Sequence, residues 1–319
     1  MQKIGILITN TGTPDSPTPS AVRRYLREFL LDARVVQLPR VIWLPILYGL
    51  ILPLRPKRSA KLYQAIWTDQ GSPMRVFMQS LITDLQVSLG NQVIIEIGMN
   101  YGRPSIKEAL HHIQAQKVER IIVLPLFPQY SHTTTASSFD RVKAALQTAT
   151  TAPPIQWIKH YANHPAYITA LANSVKKHWA CYGQSDQLLI SFHGIPERFV
   201  AAGDPYQTQC QQTASLLAAA LTLPSGQWTL CYQSQFGYDK WLKPSTQKLF
   251  QTLPHAGVKR VDVICPGFAV DCLETLEEIA LKGRHLFLQA GGETLHYIPA
   301  LNASAAQVAL LQTLLLPTI

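Results

Sequence analysis

A histidine and three carboxylates are the residues whose types and spacing could carry out chemistry. His193 follows an apolar run that is typical of a buried strand. Asp271, Glu274 and Glu278 follow one another at helical spacing. Imidazole and carboxylate groups accept protons and bind divalent first-row metals. The pattern therefore indicates a site that handles a divalent cation, protons or both.

The same residues also have structural interpretations. A histidine at a strand end is often only a hydrogen-bonded structural residue. Asp271 is a good helix N-cap, and Glu274, three positions later, completes a capping-box pattern. Cys272 could add a soft metal ligand, but a buried cysteine also serves as a small apolar side chain. The residues by themselves leave both interpretations open.

Other cationic and aromatic residues could receive a flat, apolar, acidic ligand. Arginine pairs with carboxylates through two hydrogen bonds, and tyrosine or tryptophan offers a face for stacking. Any one of these residues alone is more often ordinary surface or core. The candidates are Arg55, Tyr63, Ser72, Tyr130 and Trp241.

Composition narrows the classes of protein and of partner. Of the 319 residues, 47 % are hydrophobic and 15 % charged, which excludes disordered, coiled-coil and collagen-like chains. Twenty-eight Lys and Arg against 19 Asp and Glu give a formal net charge of +9, which predicts an acidic partner. The basic residues are dispersed without a DNA or RNA motif, which disfavours nucleic acid. Neither GxGxxG nor GxxxxGK[ST] occurs, which disfavours a nucleotide.

The cysteines and the first residues indicate a reducing compartment. All five cysteines lie in the second half without a CxxC pair, so neither a disulfide framework nor a zinc ribbon is predicted. The start, MQKIGILITNTG, lacks the apolar core and cleavage site of a signal peptide. We therefore expect a cytoplasmic protein whose mature chain begins near Met1.

The longest apolar stretch is 41–54, which we call the apolar lip. Its 14 residues fall short of the roughly 20 that a membrane-spanning helix needs. Arg40 and Arg55 flank it, and Trp43 and Tyr48 are amphipathic residues suited to a lipid headgroup boundary. We interpret the lip as a surface segment that dips into a membrane or closes over an apolar ligand. The alternative is a buried pair of helices.

The elements that must position these residues alternate between strands and helices. This alternation predicts an α/β protein with mostly parallel sheets, whose ligands lie at the carboxyl ends of the strands. The predicted strands are 4–9, 93–98, 120–124, 188–192, 228–232 and 261–265.

The two halves of the chain match one another in their motifs. The segment 8–14 (ITNTGTP) resembles 190–196 (ISFHGIP), and 123–127 (VLPLF) resembles 264–268 (ICPGF). We therefore predict two similar α/β domains at 1–150 and 151–319, joined near 148–154, with the last helix packing back on the first domain.

Several motifs together identify a family resemblance that runs over nearly the whole chain. The chain resembles the ferrochelatases, which insert Fe2+ into a porphyrin. The motifs are NTGTP at 10–14, the segment 19–38, GSP at 71–73, LPLFPQYSHTTTASSFD at 124–140, SFHGIP at 191–196, GDPY at 203–206, WLKP at 241–244 and the segment 265–279.

The resemblance implies a fold, an activity and a set of site residues. The fold is chelatase-like: two similar Rossmann-like domains, each with a four-stranded mostly parallel sheet flanked by helices, around a porphyrin cleft. His193 and Glu274 match the residues that act on the metal and the pyrrole protons from opposite sides. The five cationic and aromatic candidates named above match positions that line the porphyrin pocket. Asp271 and Glu278 would form a relay for protons or metal.

Two departures limit what the resemblance carries over. Cys272 stands where many members have a histidine, so a role of that histidine cannot apply here. Lys282 stands where some members continue the acidic ladder, which weakens the case for a long carboxylate path. No cysteine follows Cys272, so we expect no 2Fe–2S cluster and no tightly bound cofactor.

The expected activity is that of a lyase-class metal chelatase at the terminal step of haem synthesis. Its substrates would be Fe2+ and protoporphyrin IX, which resemblance to Gram-negative members favours over coproporphyrin III. We expect peripheral association with the inner membrane, near an upstream protoporphyrinogen-oxidising enzyme. The alternatives are a non-catalytic haem or porphyrin carrier and a related cobalt or nickel chelatase.

Overall fold

The computed structural model describes residues 3–147, 153–237 and 239–318. The described residues form two compact units. One contains those within Met1–Leu126, Ser131–Lys159 and Leu311–Ile319, and the other those within Phe127–Tyr130 and His160–Leu310. Most of the predicted junction at 148–154 lies outside the described residues, so the boundary between 150 and 151 stays a prediction.

The first unit is a parallel sheet with helices between its strands. The strand order is β2-β1-β3-β4, and all pairs are parallel. The central strand β1 is buried at all seven residues, because helices cover both faces of such a sheet. Its elements are β1 (Ile4–Asn10), α1 (Pro19–Leu30), α2 (Arg40–Ile46), α3 (Leu52–Ile66), α4 (Pro73–Leu89), β2 (Val93–Met99), α5 (Ile106–Ala115), β3 (Arg120–Pro125), α6 (Thr135–Leu146) and β4 (Ile155–Trp157).

The second unit repeats this plan. Its sheet has the order β6-β5-β7-β8, again with every pair parallel. Its elements are α7 (Pro165–Tyr182), β5 (Gln187–His193), α8 (Glu197–Ala201), α9 (Tyr206–Ala220), β6 (Trp228–Gln233), α10 (Thr246–Thr252), β7 (Arg260–Ile264), α11 (Leu273–Thr275), a π-helix (Leu276–Gly283), α12 (Arg284–Gln289), β8 (Thr294–Ile298) and the first part of α13 (Ala305–Leu315). The residues of α13 from Leu311 onward belong to the first unit. The prediction of two similar α/β domains with four-stranded parallel sheets is therefore confirmed.

Local sequence explains how several helices begin. Ser105 caps α5: its hydroxyl accepts from the Glu108 amide at 3.2 Å, and the Glu108 carboxylate accepts from the Ser105 amide at 2.8 Å. Thr18 caps α1, which continues with Pro19 in its first turn. These caps fix where each helix leaves the loop that follows a strand.

The apolar lip consists of α2, a π-helical turn (Leu47–Ile51) and the start of α3. Several of its side chains point to solvent: Val41 is 82 % exposed, Leu50 56 % and Leu54 65 %. The segment therefore forms a surface, as the first interpretation predicted, and is not a buried helix pair. Among the described residues, none of the helices has both the length and the apolar character needed to cross a membrane.

Trp43 departs from the expectation for the lip. Its side chain is buried, and its indole Nε1 donates a hydrogen bond to the Leu30 carbonyl at 2.7 Å. The prediction that Trp43 lies at a headgroup boundary is therefore wrong, because its polar group is satisfied inside the protein. Tyr48 does lie at the surface, with 47 % of its area exposed.

Candidate active site

His193 is the last residue of β5 and is half-buried. Its ring Nδ1 lies 2.7 Å from the Gly194 carbonyl oxygen. Because a carbonyl oxygen only accepts hydrogen bonds, Nδ1 must carry the proton. In the neutral ring, the lone pair is then on Nε2. This nitrogen can accept a proton or bind a metal.

The surroundings of Gly194 leave no room for a side chain. Its amide donates to the Gln233 carbonyl at 2.8 Å. A Cβ added to Gly194 would lie 2.9 Å from that same oxygen and 3.3 Å from the Trp241 ring. The absent side chain therefore allows β5, β6 and the Trp241 segment to approach one another directly after His193.

Gln233 connects the His193 strand to Glu274. Gln233 is the register partner of His193 on the neighbouring strand β6. Its side-chain Nε2 donates to the Glu274 carbonyl at 2.6 Å, while its Oε1 accepts from Ser191 at 2.8 Å and from the Cys265 thiol at 3.3 Å. The structure thus places His193 and Glu274 at the same edge of the second sheet.

Glu278 is held by the segment that follows β6. Its carboxylate accepts hydrogen bonds from the Ser234 amide at 2.7 Å and the Ser234 hydroxyl at 2.5 Å. Ser234 has a positive φ of 61°, a left-handed conformation that is uncommon outside glycine. Glu278 therefore anchors this turn, and its role as a relay stays a prediction.

Asp271 is buried and fully engaged by side chains. Its carboxylate accepts from the hydroxyls of Thr275 at 2.9 Å and Tyr297 at 2.6 Å, and from the Asn302 amide at 2.7 Å. The interpretation of Asp271 as N-cap with Glu274 completing the box is wrong. Cys272 caps α11 with Thr275 as its reciprocal partner, because Asp271 is directed toward Tyr297 and Asn302 instead.

The Cys272 side chain is buried. Burial raises the pKa of its thiol well above the ordinary value, and the neighbouring Glu274 carboxylate raises it further. This agrees with its interpretation as a small buried side chain.

Two of the candidate ligand-binding residues lie in the second unit. Trp241 is buried, pairs with Pro196 across an isolated bridge, and donates from Nε1 to the Phe236 carbonyl at 3.0 Å. Tyr130 is half-buried, and its amide donates to the Gln209 side chain at 2.7 Å. Trp241 therefore lies next to the turn after His193.

The other three candidates lie in the first unit. Arg55 and Tyr63 are both on α3, where Arg55 is exposed and Tyr63 is buried. Ser72 is the buried N-cap of α4, and its hydroxyl accepts from Thr13 at 2.8 Å. Thr13 belongs to the loop after β1, so two of the recognised motifs meet here.

Gln233 and Ser234 are the residues that sequence reasoning missed. Both come directly after the apolar part of β6, the position at which His193 follows β5. A polar residue at a strand end was therefore an available signal, but only pairing in the sheet shows that Gln233 faces His193.

Comparisons with known proteins identify the family of the chain. A family model described as Ferrochelatase matches residues 3–318. The chain is 52 % identical over 314 residues to Ferrochelatase 1 of Shewanella oneidensis, covering 97 % of this chain and 94 % of that protein. It is 51 % identical over 313 residues to the ferrochelatase of Sodalis glossinidius, with 98 % and 93 % covered.

A solved structure shares the fold. SirB from Bacillus subtilis, described with Fe3+, superposes with a TM-score of 0.56 at 12 % identity, covering 96 % of this chain and 92 % of that one. At such low identity the likeness supports the chelatase fold alone. The family model and the two relatives go further: with its strand-end histidine and the Glu274 helix, this chain belongs to the ferrochelatase family.

Proposed function

We propose that this chain inserts Fe2+ into protoporphyrin IX, releasing two protons and forming haem. Membership of the family makes the chain a metal-chelating enzyme of haem biosynthesis. The observation that carries the chemistry is the His193 ring, whose Nδ1–H is bound to Gly194 so that Nε2 is the acceptor. Metal insertion needs such an acceptor, because both pyrrole protons must leave the ring.

In this proposal His193 accepts the pyrrole protons and Glu274 binds the metal. When Nε2 is protonated, the bond from Nδ1 to the Gly194 carbonyl persists and stabilises the imidazolium. Glu274 offers a carboxylate, a ligand that suits divalent first-row metals. Its backbone is held by Gln233, so the carboxylate starts from a fixed position.

In this proposal the cationic and aromatic candidates would bind the ring. Arg55 has the charge and the planar geometry to pair with a propionate carboxylate. Tyr63, Tyr130 and Trp241 supply aromatic surface, and Ser72 supplies a hydroxyl. A pocket that holds the macrocycle bent would favour the transition state over the planar substrate and product.

The expectation that no iron–sulfur cluster is bound rests on the cysteine positions, because no cysteine follows Cys272. Iron and sulfide analysis of the purified protein would test this expectation. Near-stoichiometric acid-labile sulfide would contradict it.

The activity is tested by mixing the protein with Fe2+ and free-base porphyrin without oxygen. We expect the free-base spectrum of protoporphyrin IX to convert to that of haem over many turnovers. Coproporphyrin III in a parallel reaction tests the choice of ring, and Co2+ or Ni2+ tests the related chelatases. A protein that binds the ring but leaves it unmetallated would be a carrier, and the proposal would be wrong.

The His193→Ala variant tests the proposed base. With metal and porphyrin saturating, we expect turnover to fall by about 100-fold or more, the typical contribution of a positioned acid or base. His255→Ala is the matched control, because His255 is an exposed histidine of the same unit. Turnover of His193→Ala within about tenfold of the parent would remove this residue from the chemistry.

We also propose that the apolar lip attaches the protein to the inner membrane, where porphyrin and haem partition. Exposed Val41, Leu50 and Leu54 supply apolar contact. Arg55, Lys57 and Arg58 follow directly and can meet anionic headgroups. Such a position would also bring the protein near an upstream protoporphyrinogen-oxidising enzyme.

A further inference from the structure

A group of side chains of the types that bind metals lies in the second unit, away from His193 and Glu274. It consists of His178 on α7, Asp262 on β7 and His296 on β8. Asp262 and His296 are register partners on neighbouring strands, so both side chains leave the sheet on the same face. The helix α7 brings His178 over that face.

The distances among these side chains match those of ligands around one ion. The Asp262 Oδ1 lies 3.4 Å from the His178 Nε2 and 3.5 Å from the His296 Nδ1. Ligand atoms about 2.1 Å from a zinc ion at tetrahedral angles are about 3.4 Å from one another. All three ligand atoms lie within 4.8 Å of one another.

Two of the three ligand atoms are buried without a hydrogen-bond partner. Among the described residues, neither the Asp262 Oδ1 nor the His178 Nε2 has such a partner. Their side chains are only 1 % and 9 % exposed. Buried polar atoms are normally hydrogen-bonded, so two buried ligand atoms that face one another at 3.4 Å without a hydrogen bond point to a bound ligand.

A neighbouring residue orients the carboxylate in the way that metal sites require. The other oxygen of Asp262, Oδ2, accepts a hydrogen bond from the Trp179 indole at 2.7 Å. Hydrogen bonds of this kind fix metal-binding carboxylates. The His296 side chain is 33 % exposed, which gives an ion and a water molecule access to the group.

This group is separate from the candidate active site. Val261 and Val263, on either side of Asp262, face the core cluster that contains Phe250 and Phe287. Asp262 therefore points to the opposite face of β7, in the middle of the strand rather than at its carboxyl end.

We propose that His178, Asp262 and His296 bind one divalent first-row transition metal ion, such as Zn2+, with water completing the coordination. Two imidazoles and one carboxylate form a ligand set that such ions favour. Because the three ligands come from α7, β7 and β8, the ion would join these elements and stabilise the second unit.

The test uses the full chain with the candidate active site removed. In a His193→Ala, Glu274→Gln background without porphyrin, equilibrium dialysis against Zn2+ should give one ion per chain. Adding Asp262→Asn or His296→Ala should weaken this binding by at least about 100-fold. Zn2+ should raise the melting temperature of the background variant and have little effect on either triple variant.

Two further measurements make the test decisive. His255→Ala in the same background is the matched control and should bind Zn2+ like the background. Co2+ in this site should give visible d–d bands without a thiolate charge-transfer band, because no cysteine is a ligand.

The partly exposed position of His296 favours folding of its alanine variant even where Asp262→Asn fails to fold. Unchanged Zn2+ affinity in a folded His296→Ala variant, or no Zn2+ on the background variant, would overturn the proposal.

Discussion

At the scale of single residues, Gly194 has two tasks beside His193. Its carbonyl oxygen accepts the hydrogen bond from the His193 Nδ1–H, and its lack of a side chain leaves room for the Gln233 carbonyl. The first task fixes the ring tautomer and the second fixes the position of the strand end. The proposed base depends on both, because it would have to present Nε2 to the porphyrin.

Gly194→Ala should therefore impair the protein. The added Cβ would lie 2.9 Å from a backbone oxygen, so the backbone must shift, at a cost of roughly 1–3 kcal/mol in the free energy of unfolding. Urea unfolding and turnover should both report the loss. Gly49→Ala is the control, because a Cβ at Gly49 meets nothing within 4 Å. Equal stability of the two variants would contradict this account of Gly194.

Asp32 shows how a partly buried carboxylate couples stability to pH in the first unit. Burial would raise its pKa, but hydrogen bonds from the Ser137 hydroxyl, the Arg34 amide and the Tyr101 hydroxyl, with the charge of Arg141, hold the pKa below its ordinary value. A lowered folded-state pKa means that the ionised form stabilises the fold. That contribution is complete above the unfolded-state pKa and is lost as pH falls through the folded-state pKa.

Asp32→Asn should thus be less stable than the parent at pH 7, by about 1–3 kcal/mol for bonds to a charged group. The difference should shrink as the pH falls below about 4, the ordinary pKa of aspartate. Urea unfolding from pH 7 to pH 3 measures it. Asp15→Asn, which removes an exposed ion pair, should leave the acid dependence unchanged. A difference that stays constant with pH would show that the charge of Asp32 is not responsible.

The predicted site residues illustrate what the sequence can and cannot provide at this scale. His193 is predicted by its position after an apolar run, Glu274 by its helical spacing from Asp271 and Glu278, and both by the family motifs. Gln233 could not be predicted as their connection, because its role depends on which strand lies next to β5. Asp271 was assigned to a helix cap because its partner Tyr297 lies 26 positions away.

At the scale of elements, the turn after β6 depends on Ser234. Its positive φ costs about 1–2 kcal/mol for a non-glycine residue, and its hydroxyl bond to Glu278 offsets part of this cost. Both Ser234→Ala and Ser234→Gly lose the hydroxyl, but only glycine relieves the backbone. Ser234→Gly should therefore be more stable than Ser234→Ala by about 0.5–1 kcal/mol, measured by urea unfolding. The reverse order would exclude backbone strain at this turn.

The strands also show which elements a sequence pattern predicts and which it does not. The six predicted strands are all present, shifted by at most one residue at either end. The edge strands β4 and β8 were not identified. The first has only three residues, and the second, with the sequence TLHYI, alternates polar and apolar residues as an edge position allows. Such strands are defined by the neighbour they pair with more than by composition.

At the scale of the whole molecule, substitutions can distinguish membrane binding through the apolar lip from non-specific binding by any exposed apolar residue. Val41→Ser, Leu50→Ser should abolish flotation with anionic vesicles at low salt, and salt should release the parent protein. Val87→Ser is the matched control, because Val87 is as exposed as Val41, at 80 % and 82 %, but lies on α4. Flotation that survives the double substitution would show that the lip is not the contact.

The assignment of Leu311–Ile319 to the first unit has a consequence for biosynthesis. Leu311 and Leu315 are fully buried, yet the ribosome adds them only after every residue of the second unit. During translation, the half that is made first must therefore wait for its last hydrophobic residues, while the other unit, Phe127–Tyr130 and His160–Leu310, has all of its residues before Leu311 is added. A chain that ends at residue 310 and has been released from the ribosome should resist protease in the later half and remain sensitive in the earlier one.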